Sequence, residues 1–305
     1  MSDFILHHYA MSPFSEKVRL MLGYAGIDWL SVRVREMPPR TLLEPLAGKY
    51  RKIPVAQIGA DVFCDTRTIS SEIARLSGKP ELALENCSDA IQKFVRHTDL
   101  EVFLACILSA PGGTLLRKLW KGSSLLNVGR FLVDRINMGR KATVKAMGPK
   151  QAKQVVRSHL ENMEQMLAVT PFLFGETPTI ADFSAYHSLW FIRDLGESRY
   201  PDRFAKVSAW MDRMAAFGHG RSTEVSAEYA LDAALSADPR ALPESVDNVA
   251  RGQAVTISPD DYGQVPVSGK LLAGTAHGWV LSHDHPRVGR VHMHFPKQGF
   301  VISGG

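Results

Sequence analysis

The sequence predicts a small α/β unit, an all-α domain and a short all-β segment, in that order along the chain. Three observations predict this class. Strand-like and helix-like apolar spacings alternate up to residue 83, and only helical spacing follows over 86–237. After a linker that contains Pro239 and Pro243, short β-like runs are separated by Gly, Pro and Asp. We therefore place the domains at 1–83, 86–237 and 246–305.

The first unit reads as strand, helix, three strands and helix. Gly26 ends the first helix, Gly59 joins two short strands, and Gly78 with Pro80 stops the second helix. The predicted elements are strand 3–9, helix 16–25, strand 29–34, strand 54–58, strand 61–64 and helix 68–76.

The rest of the chain changes character twice. The predicted helices of the all-α domain are 88–109, 125–147, 150–169, 179–195, 202–217 and 222–236. The β-like runs of the last segment are 254–257, 270–273, 279–281, 290–295 and 300–302. Each run is short and bounded by turn residues, so we predict a compact all-β appendage.

Composition excludes several classes of protein. Hydrophobic residues make up 45% and charged residues 22% of the 305 residues, an ordinary soluble profile. No run approaches about 20 apolar residues and no signal peptide is visible, so we expect a cytoplasmic protein with no membrane span. The three cysteines, Cys64, Cys87 and Cys106, form no CxxC pair, which argues against a disulfide framework or a zinc site.

The net charge of +5 is concentrated in one stretch. Between Arg117 and Lys153 there are ten Lys and Arg residues against one acid, Asp134. Such a stretch could attract nucleic acid, or it could be the solvated face of a helix. Aromatic residues are not interleaved with these charges, so we favour the solvated face and expect no nucleic acid partner.

Three separated motifs carry the functional signal. The stretch ILHHYAMSPFSEKVRLML puts Ser12, Pro13 and Ser15 between a strand and a helix, and RKIPVAQI spans 51–58. The third motif, PTIADFSAY, spans 178–186 and has the spacing of a helix capping box. Together they resemble the cytosolic glutathione S-transferases over about residues 1–220, in the serine-type classes and similar to tau, zeta and omega-like bacterial members.

The resemblance implies a thioredoxin-like N-terminal domain, an all-helical C-terminal domain and glutathione as co-substrate. It also implies a catalytic role for Ser12, whose hydroxyl would donate a hydrogen bond to the glutathione sulfur. A free thiol has a pKa of about 8.5, and such a bond favours the reactive thiolate, as does the positive end of the following helix. Ser12 could instead only cap that helix, and Ser15 and Tyr9 are alternative thiol partners.

The resemblance also implies which residues hold glutathione. Pro54 would follow a cis peptide bond and let Val55 offer its backbone N–H and C=O to the peptide part. Asp65 and Thr66 stand where the family has Glu-Ser and would hold the γ-glutamyl group, although they could merely cap a helix. Lys52 could approach the glycyl carboxylate, or could simply be an exposed lysine.

The resemblance further implies a pocket for a small hydrophobic electrophile, which the enzyme would conjugate or isomerise in detoxification. Tyr9, Phe14, Phe94 and His97 are the candidate lining residues, although aromatic residues of helices usually belong to a core. Because members of the family commonly form dimers, the resemblance also implies a homodimer. The alternative is a non-catalytic binding or regulatory protein, which the Asp65-Thr66 departure and the extra β segment favour.

The last segment contains two H-x-H pairs. Alternate residues of a strand share a face, so the pairs could bind a metal. In RVHMHF, however, Val291, Met293 and Phe295 would share the opposite face, the pattern of a half-buried strand. We therefore expect structural histidines and no metal. The histidines concerned are His277, His283, His285, His292 and His294.

Overall fold

A computed structural model describes residues 3–110, 113, 147–244, 246, 251–261 and 263–304. The predicted helix 125–147, except for its last residue, and most of the basic stretch 117–153 lie outside these residues. The chain forms two compact units. The sheet unit comprises Met1–Val18, Gly26–Glu72 and Arg221–Gly305, and the helical unit comprises Arg19–Ala25 and Ile73–Gly220.

The strands and helices follow the predicted order closely. The strands are β1 (Phe4–His8), β2 (Trp29–Arg33), β3 (Val55–Ile58), β4 (Asp61–Cys64), β5 (Ser222–Glu224), β6 (Ala254–Pro259), β7 (Val267–Gly274), β8 (Gly278–His285), β9 (Gly289–Pro296) and β10 (Phe300–Gly304). The helices are α1 (Pro13–Ala25), α2 (Glu44–Ala47), α3 (Thr66–Ser77), α4 (Asp89–His97), α5 (Phe103–Ser109), α6 (Pro149–Met166), α7 (Ile180–Trp190), α8 (Ala205–Ala215) and α9 (Ala227–Leu235).

Four strands at the N-terminal end form the thioredoxin-like part of the sheet. β1 pairs with β2 in parallel and with β3 antiparallel, and β3 pairs with β4 antiparallel. In this register Val55 lies between His7 of β1 and Cys64 of β4. The end of β1, the start of β3 and the end of β4 therefore meet at one end of the sheet.

Two later parts of the chain, β5 and the C-terminal segment 246–305, extend this sheet at its two edges. β5 pairs in parallel with β2, and β9 pairs in parallel with β4 through partners such as Val62 and Met293. The full strand order in the described residues is β10-β6-β7-β8-β9-β4-β3-β1-β2-β5. β10 pairs antiparallel with β6, with Phe300 opposite Pro259. It does not neighbour β9, the strand that precedes it in the chain.

One hydrophobic core joins the first and last parts of the sheet unit. It contains residues of α2, β3 and β4 together with residues of α9 and of β6 to β10. Tyr50, for example, lies 5.8 Å from Phe295 between ring centroids. The expected domain at 246–305 thus shares one core and one compact unit with the N-terminal α/β part. Its five predicted β runs are all strands.

The helical unit is built around the buried helix α7. Thr179 caps this helix by accepting a hydrogen bond from the N–H of Ala181, and Asp182 accepts one from the N–H of Thr179. The predicted capping box is therefore confirmed. Asp182 also accepts hydrogen bonds from Leu173 N–H and Trp210 Nε1, so the motif fixes neighbouring elements as well as the helix start.

Some boundaries differ from the sequence predictions. Predicted helices 88–109 and 179–195 each include a wider π-helical turn, at Thr98–Val102 and Phe191–Leu195. The predicted helix 222–236 is wrong in its first residues, because 222–224 forms β5 and α9 begins at Ala227. Residues 221–237 accordingly belong to the sheet unit rather than to the helical one.

Candidate functional site

The residues predicted to hold glutathione gather at one end of the sheet. The chain leaves β1 at His8 and begins α1 at Pro13, leaves β4 at Cys64 and begins α3 at Thr66. Pro54 lies immediately before β3, at the same end. The N-termini of α1 and α3 therefore both lie at the end of the sheet where β3 begins. Two helix N-termini at one place are suited to an anionic ligand.

Ser12 is the N-terminal cap of α1. Its Oγ accepts a hydrogen bond of 3.2 Å from the N–H of Ser15, and its carbonyl accepts one of 2.9 Å from Glu16. The first contact uses a lone pair of the hydroxyl and leaves the hydroxyl hydrogen for an acceptor. Ser12 is only 2% exposed, so the hydroxyl lies in a place of low solvent access.

The alternatives to Ser12 lie close by. The carbonyl of Tyr9 accepts a 3.2 Å hydrogen bond from the N–H of Ser12, and Tyr9 itself is half-buried. Ser15 is fully buried, and its Oγ has no hydrogen-bond partner among the described residues. Phe14 is half-buried in the first turn of α1.

The Ile53–Pro54 peptide bond is cis. Val55 is the first residue of β3 and is flanked by β1 and β4, so strands lie on both sides of its backbone. Ile53 precedes Pro54, lies outside the strand and is half-buried. Sequence reasoning selected Val55 and passed over Ile53, although both flank the same proline.

Asp65 and Thr66 form the junction between β4 and α3. Asp65 Oδ1 accepts a 3.0 Å hydrogen bond from the N–H of Arg67, so the carboxylate caps α3. The φ of Asp65 is +84°, in the left-handed region that non-glycine residues rarely adopt. Backbone strain of this kind clusters at ligand sites. Thr66 is buried as the first helical residue.

Lys52 is held by the C-terminal segment. Its Nζ lies 2.7 Å and 3.0 Å from the two carboxylate oxygens of Asp261, which follows β6. The side chains are 11% and 13% exposed, so this is a largely buried ion pair. The ring centroid of Phe300 lies 5.5 Å from the same Nζ. Lys52 is therefore neither an exposed lysine nor an unoccupied carboxylate site.

A second ionic cluster lies on the seam between β4 and β9. The N–H of Arg240 donates to Asp61 Oδ2 at 2.9 Å, and Asp61 Oδ1 lies 2.7 Å from His294 Nε2. Burial would raise the pKa of Asp61, but these hydrogen bonds hold it below its ordinary value. Burial lowers the pKa of His294 despite the opposing carboxylate. The contact between Asp61 and His294 links β4 to β9.

The histidine pairs have structural surroundings. His294 stacks on Phe63 with ring centroids 4.7 Å apart, and Nδ1 of His285 accepts a hydrogen bond from the N–H of Arg287. Across the part of the chain that the structure describes, no group of three or more His, Cys, Asp or Glu side chains could hold a metal ion. Among those same residues, no helix is long and apolar enough to cross a membrane.

Two candidate pocket residues lie on α4 in the helical unit. Phe94 packs beside Val95 and Ile180, and its ring lies 5.4 Å from that of Phe174. His97 is half exposed and lies 3.1 Å from Glu101 Oε2. Phe94 therefore contributes to the helical core, as aromatic residues of helices often do, and His97 faces solvent.

Family comparisons agree with this geometry. Residues 6–81 match the glutathione S-transferase N-terminal domain, and residues 134–213 match the glutathione S-transferase C-terminal domain. A crystal structure of a GST-like protein from Pseudomonas syringae is 30% identical, covers 100% of both chains and superposes with a TM-score of 0.79. The chain therefore belongs to the glutathione S-transferase family.

Two further relatives have names that point to different roles. FtsZ-localized protein A from Caulobacter vibrioides is 28% identical over 214 residues, which is 67% of this chain and 83% of that protein. A glutathione S-transferase from Sinorhizobium meliloti is 20% identical over 70% of this chain and 89% of its own, with a TM-score of 0.50. The second likeness shows the fold alone.

Proposed function

We propose that this protein binds glutathione, or a closely related γ-glutamyl thiol, and lowers the pKa of its thiol. The observation that carries the proposal is the place of Ser12, whose hydroxyl caps α1 at the end of the sheet where β3 begins. The same sheet end holds the strained Asp65 at the start of α3. Membership of the glutathione S-transferase family supports this reading.

The chemistry follows from the groups at this sheet end. The hydroxyl of Ser12 donates a hydrogen bond to the sulfur, which stabilises the thiolate over the thiol. The N-terminus of α1 adds a partial positive charge near the same atom. Backbone groups of Ile53 or Val55, on either side of Pro54, bind the peptide part. The N-terminus of α3, with Asp65 and Thr66, binds the γ-glutamyl carboxylate and ammonium.

The activated thiolate then attacks a small hydrophobic electrophile, or assists its isomerisation. In a conjugation the sulfur forms a bond to an electrophilic carbon, and the leaving group departs with the bonding electrons. Tyr9 and Phe14, both half-buried near Ser12 in sequence, are the proposed contacts on the sheet unit. Phe94 and His97 stay proposals for the helical unit, and a homodimer is the proposed assembly.

A second candidate function is that of a non-catalytic glutathione-fold protein. Two observations favour it. The chain is 28% identical to a protein named for its localisation with FtsZ, and Lys52 is already paired with Asp261 in a salt bridge. In this alternative the same sheet end binds a thiol peptide without activating it, or binds none. Thiol activation separates the two candidates more sharply than binding does.

The test is the ultraviolet thiolate absorbance of bound glutathione against pH, in the parent protein and in Ser12→Ala. We expect a thiol pKa well below about 8.5 in the parent and a rise of about one unit or more in the variant, because one hydrogen bond to the thiolate is lost. The matched control is Ser226→Ala. Ser226 Oγ caps α9 by accepting from Tyr229 N–H at 3.1 Å, so this variant loses the same kind of cap.

The control should lose stability while keeping the thiol pKa of the parent. Binding with an unshifted thiol pKa in the parent would favour the non-catalytic candidate. No binding of glutathione at all would overturn thiol activation and leave only the non-catalytic candidate that binds no thiol peptide.

A further inference from the structure

The C-terminal segment places a carboxylate on the cation that flanks the cis-proline. Lys52 is two residues before Pro54, and both oxygens of Asp261 lie within 3.0 Å of its Nζ. The two charges are largely buried together. Any ligand that approaches this side of Pro54 therefore meets a neutralised pair and not a free ammonium.

Asp261 is fixed in position by the strands around it. The N–H of the preceding Asp260 donates a 3.0 Å hydrogen bond to the carbonyl of Gly299, in the turn between β9 and β10. Nη1 of Arg67 donates a 2.8 Å hydrogen bond to the carbonyl of Gln298 in that same turn. Since Arg67 follows Thr66 in α3, the two turns and the first turn of α3 form one connected structure.

We propose that Asp261 determines which thiol the site accepts: a γ-glutamyl thiol whose opposite end carries no negative charge. This inference rests on the proposed function. A glycyl carboxylate at Lys52 would either displace Asp261 or lie beside it as a like charge, and both are unfavourable in a largely buried place. An amide or ester at that position removes the repulsion and can still accept a hydrogen bond.

The test compares two ligands that differ by one charge. Dissociation constants of glutathione and of its glycyl monoethyl ester are measured by calorimetry for the parent, Asp261→Asn and Asp260→Asn. We expect the parent to prefer the ester by about tenfold or more. Asp261→Asn should reverse the preference, because Lys52 is then available to a carboxylate. Asp260→Asn, the neighbouring exposed acid, should behave as the parent does.

A double variant guards against misfolding of the single one. Lys52→Met combined with Asp261→Leu removes both charges at once, which proteins tolerate better than one unpaired buried charge. It should bind the two ligands with nearly equal affinity, while its circular dichroism spectrum and melting temperature report the fold.

The outcomes separate this inference from the proposed function. If the parent binds glutathione as tightly as the ester, and Asp261→Asn leaves the ratio unchanged, then Asp261 has no part in selection and only this inference is overturned. If neither ligand binds to the parent or to any variant, the proposed function fails and the inference fails with it.

Discussion

A serine hydroxyl has one hydrogen and two lone pairs, so Ser12 can donate one hydrogen bond and accept another at the same time. One lone pair accepts from Ser15 N–H, which stabilises the start of α1. The hydrogen is the part that a thiolate needs. Ser12 can therefore serve the fold and the chemistry together, and a single substitution by alanine removes both contributions.

Glycine separates these two contributions. At a helix N-cap, alanine in place of serine costs about 1 kcal/mol, whereas glycine costs only a few tenths. We expect Ser12→Gly to melt close to the parent and Ser12→Ala to melt lower. Both should raise the pKa of bound glutathione equally, since neither has a hydroxyl. A glycine variant that keeps the parental thiol pKa would exclude Ser12 as the donor.

His7 is a buried neutral imidazole in β1. Its Nε2 lies 3.0 Å from Oε1 of Gln57, whose Nε2 donates to the carbonyl of Ala230 in α9. Burial lowers the pKa of His7 from 6.5 to about 4, although the Gln57 contact opposes the shift. The folded state therefore resists protonation of His7 across the range in which the unfolded state takes up a proton.

This shift predicts a loss of stability in mild acid. Between pH 6.5 and about 4 the unfolded chain binds the His7 proton and the folded chain does not, so the free energy of unfolding falls as pH falls. From pH 7 to pH 5 the contribution of His7 is about 2 kcal/mol. Urea unfolding of His7→Gln should show this part of the slope removed.

Gln57→Leu is the matched control for that slope. It deletes the hydrogen bonds of Gln57 but keeps the imidazole, so it should lower stability at pH 7 while retaining the dependence on pH. Equal slopes in the parent and His7→Gln would contradict the assignment.

At this scale the sequence could predict only part of the site. Ser12, Pro54 and the Asp65-Thr66 junction belong to short local motifs with their own turn chemistry. Asp261 lies 209 residues from Lys52, and in the sequence it looks like any acid in a polar turn. Asp61 and His294 are 233 residues apart and are equally invisible to local reasoning.

Individual elements show where periodicity suffices and where it fails. The five C-terminal strands have alternating or apolar runs bounded by turns, and all were predicted. β5 has three exposed residues, Ser222–Glu224, so no apolar pattern distinguishes it from the helix that follows. It is a strand only because β2 offers it an open edge. Sequence periodicity also fails to predict the π-helical turns, because the helical spacing of apolar residues continues across them.

Gly23 in α1 gives a prediction at the element scale. Replacing glycine by alanine inside a helix normally stabilises by about 0.5–1 kcal/mol. A Cβ at Gly23, however, would overlap the carbonyl oxygen of Gly218, which is backbone and cannot rotate away. Overpacking of this kind typically costs about 1–3 kcal/mol. We expect Gly23→Ala to lower the melting temperature, and a more stable variant would show that the two backbones separate easily.

The whole molecule behaves as two units, and the sheet unit depends on its C-terminal strands. Phe295 is 1% exposed in the core shared with β3 and β4, whereas Val301 on β10 is 51% exposed. We expect Phe295→Ala to cost about 3–5 kcal/mol and Val301→Ala close to nothing. The measurement is hydrogen exchange of the β3 and β4 amides. Because these strands share one core with Phe295, the loss of stability should also lower the protection of their amides. Unchanged protection there would indicate an independent C-terminal domain.

The edges of the sheet have a consequence for synthesis on the ribosome. β2 and β4 emerge early, but their partners β5 and β9 are made only after the whole helical unit. At typical elongation rates, roughly 10 to 45 s separate the appearance of β4 from that of β9. Until β5 is made the nascent chain presents two open strand edges, and from then until β9 appears it still presents the edge of β4. Open strand edges invite pairing with other chains. Production of this protein should therefore respond strongly to chaperone supply and to growth temperature.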